Sequence, residues 1–268
     1  MSTASPQVRP RHGHVAPVDG VPTYYEVTGA GEPLLLLHGG LAPAEMFDPQ
    51  VGTLAASYCV YVPERFGHGR TPDIEGPLSY EGMARHTIAL IDQLGIGSAH
   101  LVGWSDGALV GLLIALRRPK LVRKLILIDQ FVTLEGAVPA YHAFMAAFSP
   151  ATVPPGLAHL YGALSPDGPG HFPIVFEKLH RMWTQPTGVE LSDLAHVTAP
   201  TLILNGEEGS TSLAHADQVR RALTVAQLAI VPGTSHGLSM EKPHLVNQLI
   251  LDFLAHEQTP KLFPLDGP

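Results

Sequence analysis

Six short, largely apolar runs, separated by segments of helical period, constrain this chain more than any other feature. They are "PLLLLHGG" (33–40), "CVYVPE" (59–64), "AHLVGW" (99–104), "KLILID" (124–129), "APTLILNG" (199–206) and "AQLAIVPG" (226–233). Runs that are apolar throughout fit strands buried on both faces, because a strand with one wet face would alternate. The shorter "TYYEV" (23–27) reads as a further strand. Between the runs, helical spacing is expected over 43–57, 80–94, 108–118, 213–223 and about 243–256. In the second of these, Met83, Thr87/Ile88, Ile91 and Leu94 form one stripe that stops at Gly95, and Pro119 stops the third. Strand alternating with helix implies an α/β fold: a mostly parallel central sheet with helices on both faces.

The alternation breaks after Asp129. Residues 131 to about 190 are rich in proline, glycine, aromatics and histidine and hold no strand candidate. Sixty such residues are too many for a plain loop, so a mostly helical inserted cap is expected at 131–190. The core is then 18–130 together with 191–260. Residues 1–17 have no apolar stretch of the kind a secretory signal needs and read as a loose tail.

Composition narrows the function. Hydrophobic residues are 45% and charged residues 15% of the 268, as in a globular enzyme. A net charge of −8 argues against nucleic-acid or anionic-membrane partners, and no run reaches the ~18 apolar residues of a membrane span. Cys59 is the single cysteine, which leaves no disulfide framework and suits a cytoplasmic protein. The 15 histidines lack metal-ligand spacing, so no metal is expected.

In "LVGWSDG" (101–107), Ser105 stands between Gly103 and Gly107, at the end of a strand run and ahead of a helix. The carboxyl edge of a parallel sheet is where ligands bind. A tight strand-to-helix turn there would raise the serine hydroxyl into the crevice and aim a helix N-terminus at it. A hydroxyl is a weak nucleophile unaided and needs a base. His236, in "VPGTSH" just past the last strand run, would return to the same edge.

These segments, with "LLLLHGG" (34–40), "PERFGHGRT" (63–71), "LILID" (125–129) and "TLILNGEE" (201–208), resemble the α/β-hydrolase family over about residues 20 to 257. Gly-Trp-Ser-Asp-Gly is similar to its esterase-like branch, which includes valacyclovir-hydrolase-like and haloperoxidase-like members. The resemblance implies Ser105 as nucleophile, His236 as base, and the backbone N–H groups of Gly40 and Asp106 as an oxyanion hole. Gly40 follows a strand that ends near the same edge, which agrees.

The acid is the departure. Relatives usually carry an Asp three residues beyond the glycine that closes "TLILNG"; here that position is Gly209. Asp129, at the end of the preceding strand, is one replacement; Glu208, or less well Glu207, is another; a histidine positioned without any acid is the third.

Around Ser105, Asp106 reads either as a receptor for cationic substrates or as a helix-start residue satisfying amides. Trp104 is expected to pack against the cap or under the turn, or else to contact the substrate directly, and Arg70 in "GHGR" to pair with a carboxylate. Aromatic cap residues, among them Phe131, Tyr141, Phe144 and Trp183, would line an apolar pocket. The expectation is a serine hydrolase of a small-molecule ester, thioester or lactone, a chemistry that implies no organic cofactor. Its rivals are a non-hydrolytic enzyme on the same fold (cyclase, acyltransferase or perhydrolase) and a binding protein with a degraded triad. Oligomeric state is not legible.

Overall fold

The structure, a computed structural model, describes residues 13–256. Eight strands form one sheet: β1 Gly13–Val18, β2 Val21–Thr28, β3 Glu32–Leu37, β4 Tyr58–Pro63, β5 Ala99–Trp104, β6 Val122–Ile128, β7 Thr201–Glu208 and β8 Ala226–Ser235. Their order is β1-β2-β4-β3-β5-β6-β7-β8. Pairing is parallel from β4 through β8, while β2 runs antiparallel to both β1 and β4.

Strand order reverses at β3, which pairs with β4 on one side and β5 on the other. The connections leaving β3 and β5 therefore diverge and open a crevice at the carboxyl edge. Both Gly40 and Ser105 follow strands that end there.

Side chains alternate faces along each strand, and this divides the core. Leu35, Leu37, Leu101, Leu125 and Leu127 pack on one side with α2 (Tyr80–Gln93) and α3 (Asp106–Arg117). Leu34, Leu36, Val102, Ile126 and Leu204 pack on the other with α1 (Asp48–Leu54) and α9 (Pro243–Ala255). Each of these fully buried leucines contributes roughly 2 kcal/mol through removal from water. The helix expected at 43–57 is shorter, because Pro49 starts α1 afresh after a single 3-10 turn at Ala44–Phe47. Ser79 caps α2 by accepting from the Gly82 amide at 3.1 Å.

Between β6 and β7 lie α4 (Pro139–Ala147), α5 (Pro155–Leu164) and α6 (Phe172–Trp183), with no strand among them. α7 (Leu213–Ala222) follows β7, and α8 (Leu238–Glu241) precedes α9. No helix among the described residues is long and apolar enough to cross a membrane.

One expectation needs correction. Residues 13–17, read as part of a tail, belong to β1; residues 1–12 lie outside the described residues. Val18 pairs with Val21 across Asp19-Gly20, both with positive φ (48° and 83°). An Asp-Gly pair at such angles is a two-residue hairpin turn whose twist matches the strands it joins. The signal was in the sequence, but "GHVAP" lacks the apolar run that marks the other strands.

Candidate active site

Ser105 sits at φ 55°, ψ −126°, a strained conformation for a residue with a side chain, between β5 and α3. Its flanking glycines make the turn possible. A Cβ at Gly103 would lie 2.5 Å from the Ala108 nitrogen, and one at Gly107 would lie 2.7 Å from the His38 carbonyl oxygen. The Ser105 amide donates to the Ile128 carbonyl (3.0 Å), which ties the turn to the end of β6.

His236, on the loop after β8, has Nε2 3.1 Å from Ser105 Oγ and Nδ1 2.6 Å from Asp129 Oδ2. Asp129 Oδ2 accepts from Nδ1–H, which leaves the Nε2 lone pair facing the serine hydroxyl. Asp129 itself has φ 43° and is anchored by its amide to the Leu204 carbonyl (2.8 Å). The Ser210 amide donates to Oδ2 at 2.9 Å, and the Ser210 hydroxyl lies 3.2 Å from Oδ2 and 3.1 Å from His236 Nδ1. A Cβ at Gly209 would be 2.7 Å from the Asp129 Cγ. Of the three candidate carboxylates, Asp129 is the one hydrogen-bonded to the imidazole. Glu207 instead accepts from the Gly233 amide (2.7 Å), and Glu208 is exposed at the rim of the cavity.

The loop after β3 carries Gly40 beside this set. His38 Nδ1–H donates to the Gly39 carbonyl (2.7 Å), and His38 Nε2 accepts from the Arg65 amide (3.1 Å), a pairing that fixes the neutral tautomer. Burial, reinforced by the nearby guanidinium, pushes the His38 imidazole well below its usual range. Arg65 Nη2 donates to the His38 carbonyl (2.5 Å). Full burial lowers this guanidinium to about 10, against the pull of Asp106 and Tyr80. The two buried side chains thus hold the loop from beneath, through its carbonyls.

Trp104 packs beneath the histidine. Its indole N–H donates to the His236 carbonyl (2.9 Å), and the two ring centroids are 5.3 Å apart. Asp106 is buried, and each of its side-chain oxygens accepts a hydrogen bond from another side chain. Tyr80 Oη donates to Oδ1 (3.0 Å) and Trp183 Nε1 to Oδ2 (2.8 Å). Burial raises this carboxyl, and the indole bond, Arg65 and Tyr80 work against the rise. Arg70 does pair with carboxylates, Glu45 and Glu64.

A cavity of about 440 Å³ opens over Ser105 and His236. Tyr141, Phe144 and Trp183 line it as expected, joined by Met145 and Phe148. Phe131 does not. It is buried and packs edge-on against the Tyr141 ring at 4.9 Å, because it follows β6 directly and points into the core below the cavity. Tyr80, Gln130 and Ser210 also reach the cavity wall. Nothing in their local sequence marks them, since each arrives through the packing of a distant element.

The sequence model of the alpha/beta hydrolase family matches residues 34–249. The chain belongs to this family. Similar proteins span nearly all of it. RutD of Azorhizobium caulinodans is 27% identical over 248 residues, 86% of this chain and 94% of that one. The human serine hydrolase BPHL is 29% identical over 253 residues, 88% of this chain and 84% of its own. Among solved structures, the meta-cleavage product hydrolase of Pseudomonas fluorescens superposes with a TM-score of 0.79 at 23% identity, covering 91% of this chain and 97% of that one. At that identity the likeness shows a shared α/β-hydrolase fold.

Proposed function

We propose that this hydrolase cleaves carboxylic esters or lactones through an acyl-enzyme on Ser105. The observation that carries the reading is the continuous hydrogen-bonded chain Asp129–His236–Ser105 at the floor of the cavity. As Ser105 Oγ attacks the carbonyl carbon, its proton passes to His236 Nε2, and Asp129 steadies the imidazolium that results. The amides of Gly40 and Asp106 would receive the developing oxyanion, the second at the N-terminus of α3 where the helix dipole favours negative charge. Nε2–H then protonates the leaving alkoxide. Water, deprotonated by the same nitrogen, releases the acid and restores the serine. A lactone follows the same path with its leaving group still tethered.

The segment 131–190 serves in this reading as a cap, with Tyr141, Phe144, Met145, Phe148 and Trp183 giving an apolar wall suited to a medium-sized acyl group. BPHL, by name a serine hydrolase, is consistent with serine chemistry. The non-hydrolytic and binding-only rivals drew on Gly209 at the usual acid position; Asp129 on the imidazole supplies a partner from another strand and weakens that ground. The test is a time course of p-nitrophenol release from a short p-nitrophenyl ester, with Ser105→Ala alongside. Sustained release that is lost in the variant is expected; a single burst that stalls, or release the variant retains, overturns the reading.

A further inference from the structure

Two carboxylates line the cavity among the described residues, Asp106 and Glu208. Glu208 is at the exposed rim, where water screens it. Asp106 is in the dry part, one residue beyond the nucleophile, and a Cβ at Gly40 would be only 2.7 Å from its Oδ2. An ammonium group on the carbon next to the scissile carbonyl would need this carboxylate as its partner. Yet Oδ2 already accepts from Trp183 Nε1 and Oδ1 from Tyr80 Oη, and the Arg65 guanidinium acts on the same charge.

Trp183 has little freedom to yield. It closes α6, with its ring lying against Gly40 and edge-on to Phe176 at 6.4 Å between centroids. The rest of α6 is bound to the loop between β4 and α2: Lys178 Nζ reaches Asp73 Oδ2 and the Ile74 carbonyl, both at 2.6 Å, and the adjoining His171 reaches Asp73 at 2.9 Å. Anchored at its start and middle in this way, α6 holds the indole N–H on Oδ2.

Resting on the ester-hydrolase reading above, we propose that Trp183 sets the substrate class. By covering the Asp106 carboxylate it restricts the site to acyl groups that carry no ammonium beside the carbonyl. An α-ammonium would leave its hydration shell to face Tyr141, Met145, Phe148 and an indole edge, with both Asp106 oxygens already accepting hydrogen bonds and the Arg65 charge behind them. Burial of an unpaired charge is strongly unfavourable, whereas an alkyl or arylalkyl acyl group loses nothing there.

The test compares p-nitrophenyl pentanoate with p-nitrophenyl 2-aminopentanoate at pH 6, where the amine is protonated, each corrected for its spontaneous hydrolysis. The wild-type kcat/KM should favour the pentanoate by about 100-fold or more. Trp183→Phe keeps an aromatic ring but removes the donor, and should narrow that ratio at least about 10-fold by raising activity on the amino ester. Adding Asp106→Asn to Trp183→Phe should cancel the gain, which separates release of the carboxylate from enlargement of the cavity. A wild-type enzyme that takes both esters equally overturns the proposal without any variant. So does an unchanged ratio in Trp183→Phe, or a gain that survives Asp106→Asn. Failure to hydrolyse the pentanoate in a Ser105-dependent way sinks the underlying reading instead, and the specificity proposal with it.

Discussion

A Cβ placed on Gly209 would lie 2.7 Å from the Cγ of Asp129 and closer still to its Oδ1. The position from which α/β-hydrolases usually send an acid toward the histidine is thus occupied by a carboxylate arriving from the end of β6. Glycine at 209 and aspartate at 129 are two halves of one arrangement: the first leaves the space that the second fills.

Gly209→Ala should accordingly lower kcat, since the methyl group must drive Asp129 away from His236 or open the β7–α7 loop. A shift of about 1 Å in an orienting group costs on the order of 100-fold. Steady-state kinetics on a p-nitrophenyl ester, with circular dichroism to show that the fold is kept, checks it. A folded variant with wild-type kcat would mean the Asp129 position is not critical.

Asp129→Asn should be far more damaging than Glu208→Gln. An amide can hold the imidazole only in the wrong tautomer, a loss of about 10⁴ in kcat where the same role has been removed elsewhere. Glu208 touches neither Ser105 nor His236, so its amide variant should stay within about 3-fold of wild type. Parallel kcat measurements decide, and the reverse ranking would move the acid to Glu208.

Two buried groups near the strand edge should tilt stability with pH in opposite directions. Burial, with Arg65 nearby, pushes His68 down to about 3, below its unfolded 6.5. Its contribution is therefore present above pH 6.5 and is lost as pH falls toward 3, because the unfolded chain takes up the proton first. Burial raises Glu64 to about 7 from 4.5, despite bonds from the Ala44 and Arg70 amides. Its contribution is present below pH 4.5 and is lost as pH rises through 7. Each is worth up to about 1.4 kcal/mol per pH unit within its window. Thermal melts between pH 4.5 and 6.5 should show His68→Gln losing less stability on acidification than wild type, and Glu64→Gln losing more. Parallel melting curves for all three proteins would refute both assignments.

The architecture was legible because strand and helix periodicity is local. The apolar runs became β3 to β8, and the glycines around Ser105 marked a turn that only small residues permit. Even the one strand missed, β1, was announced by Asp19-Gly20. The fates of other residues were not local. Whether Asp129, Glu207 or Glu208 meets His236 depends on how β6, β7 and β8 end relative to one another. Asp106 looked open to substrate until α6, more than 60 residues along the chain, brought Trp183 onto it. Phe131 looked like Tyr141 and Phe144 in sequence, but its place at the exit of β6 turned it into the core.

By itself, then, the sequence determined the alternating layers, the strained turn at Ser105 and the return of His236 to the same sheet edge. These follow from side-chain period and backbone sterics within a few residues. Tertiary structure decided which carboxylate completes the hydrogen-bonded set, which carboxylate is covered, and which aromatic rings face the cavity. Those outcomes turn on ångström-scale approaches between segments far apart in the chain, where a hydrogen bond forms or fails within a few tenths of an ångström.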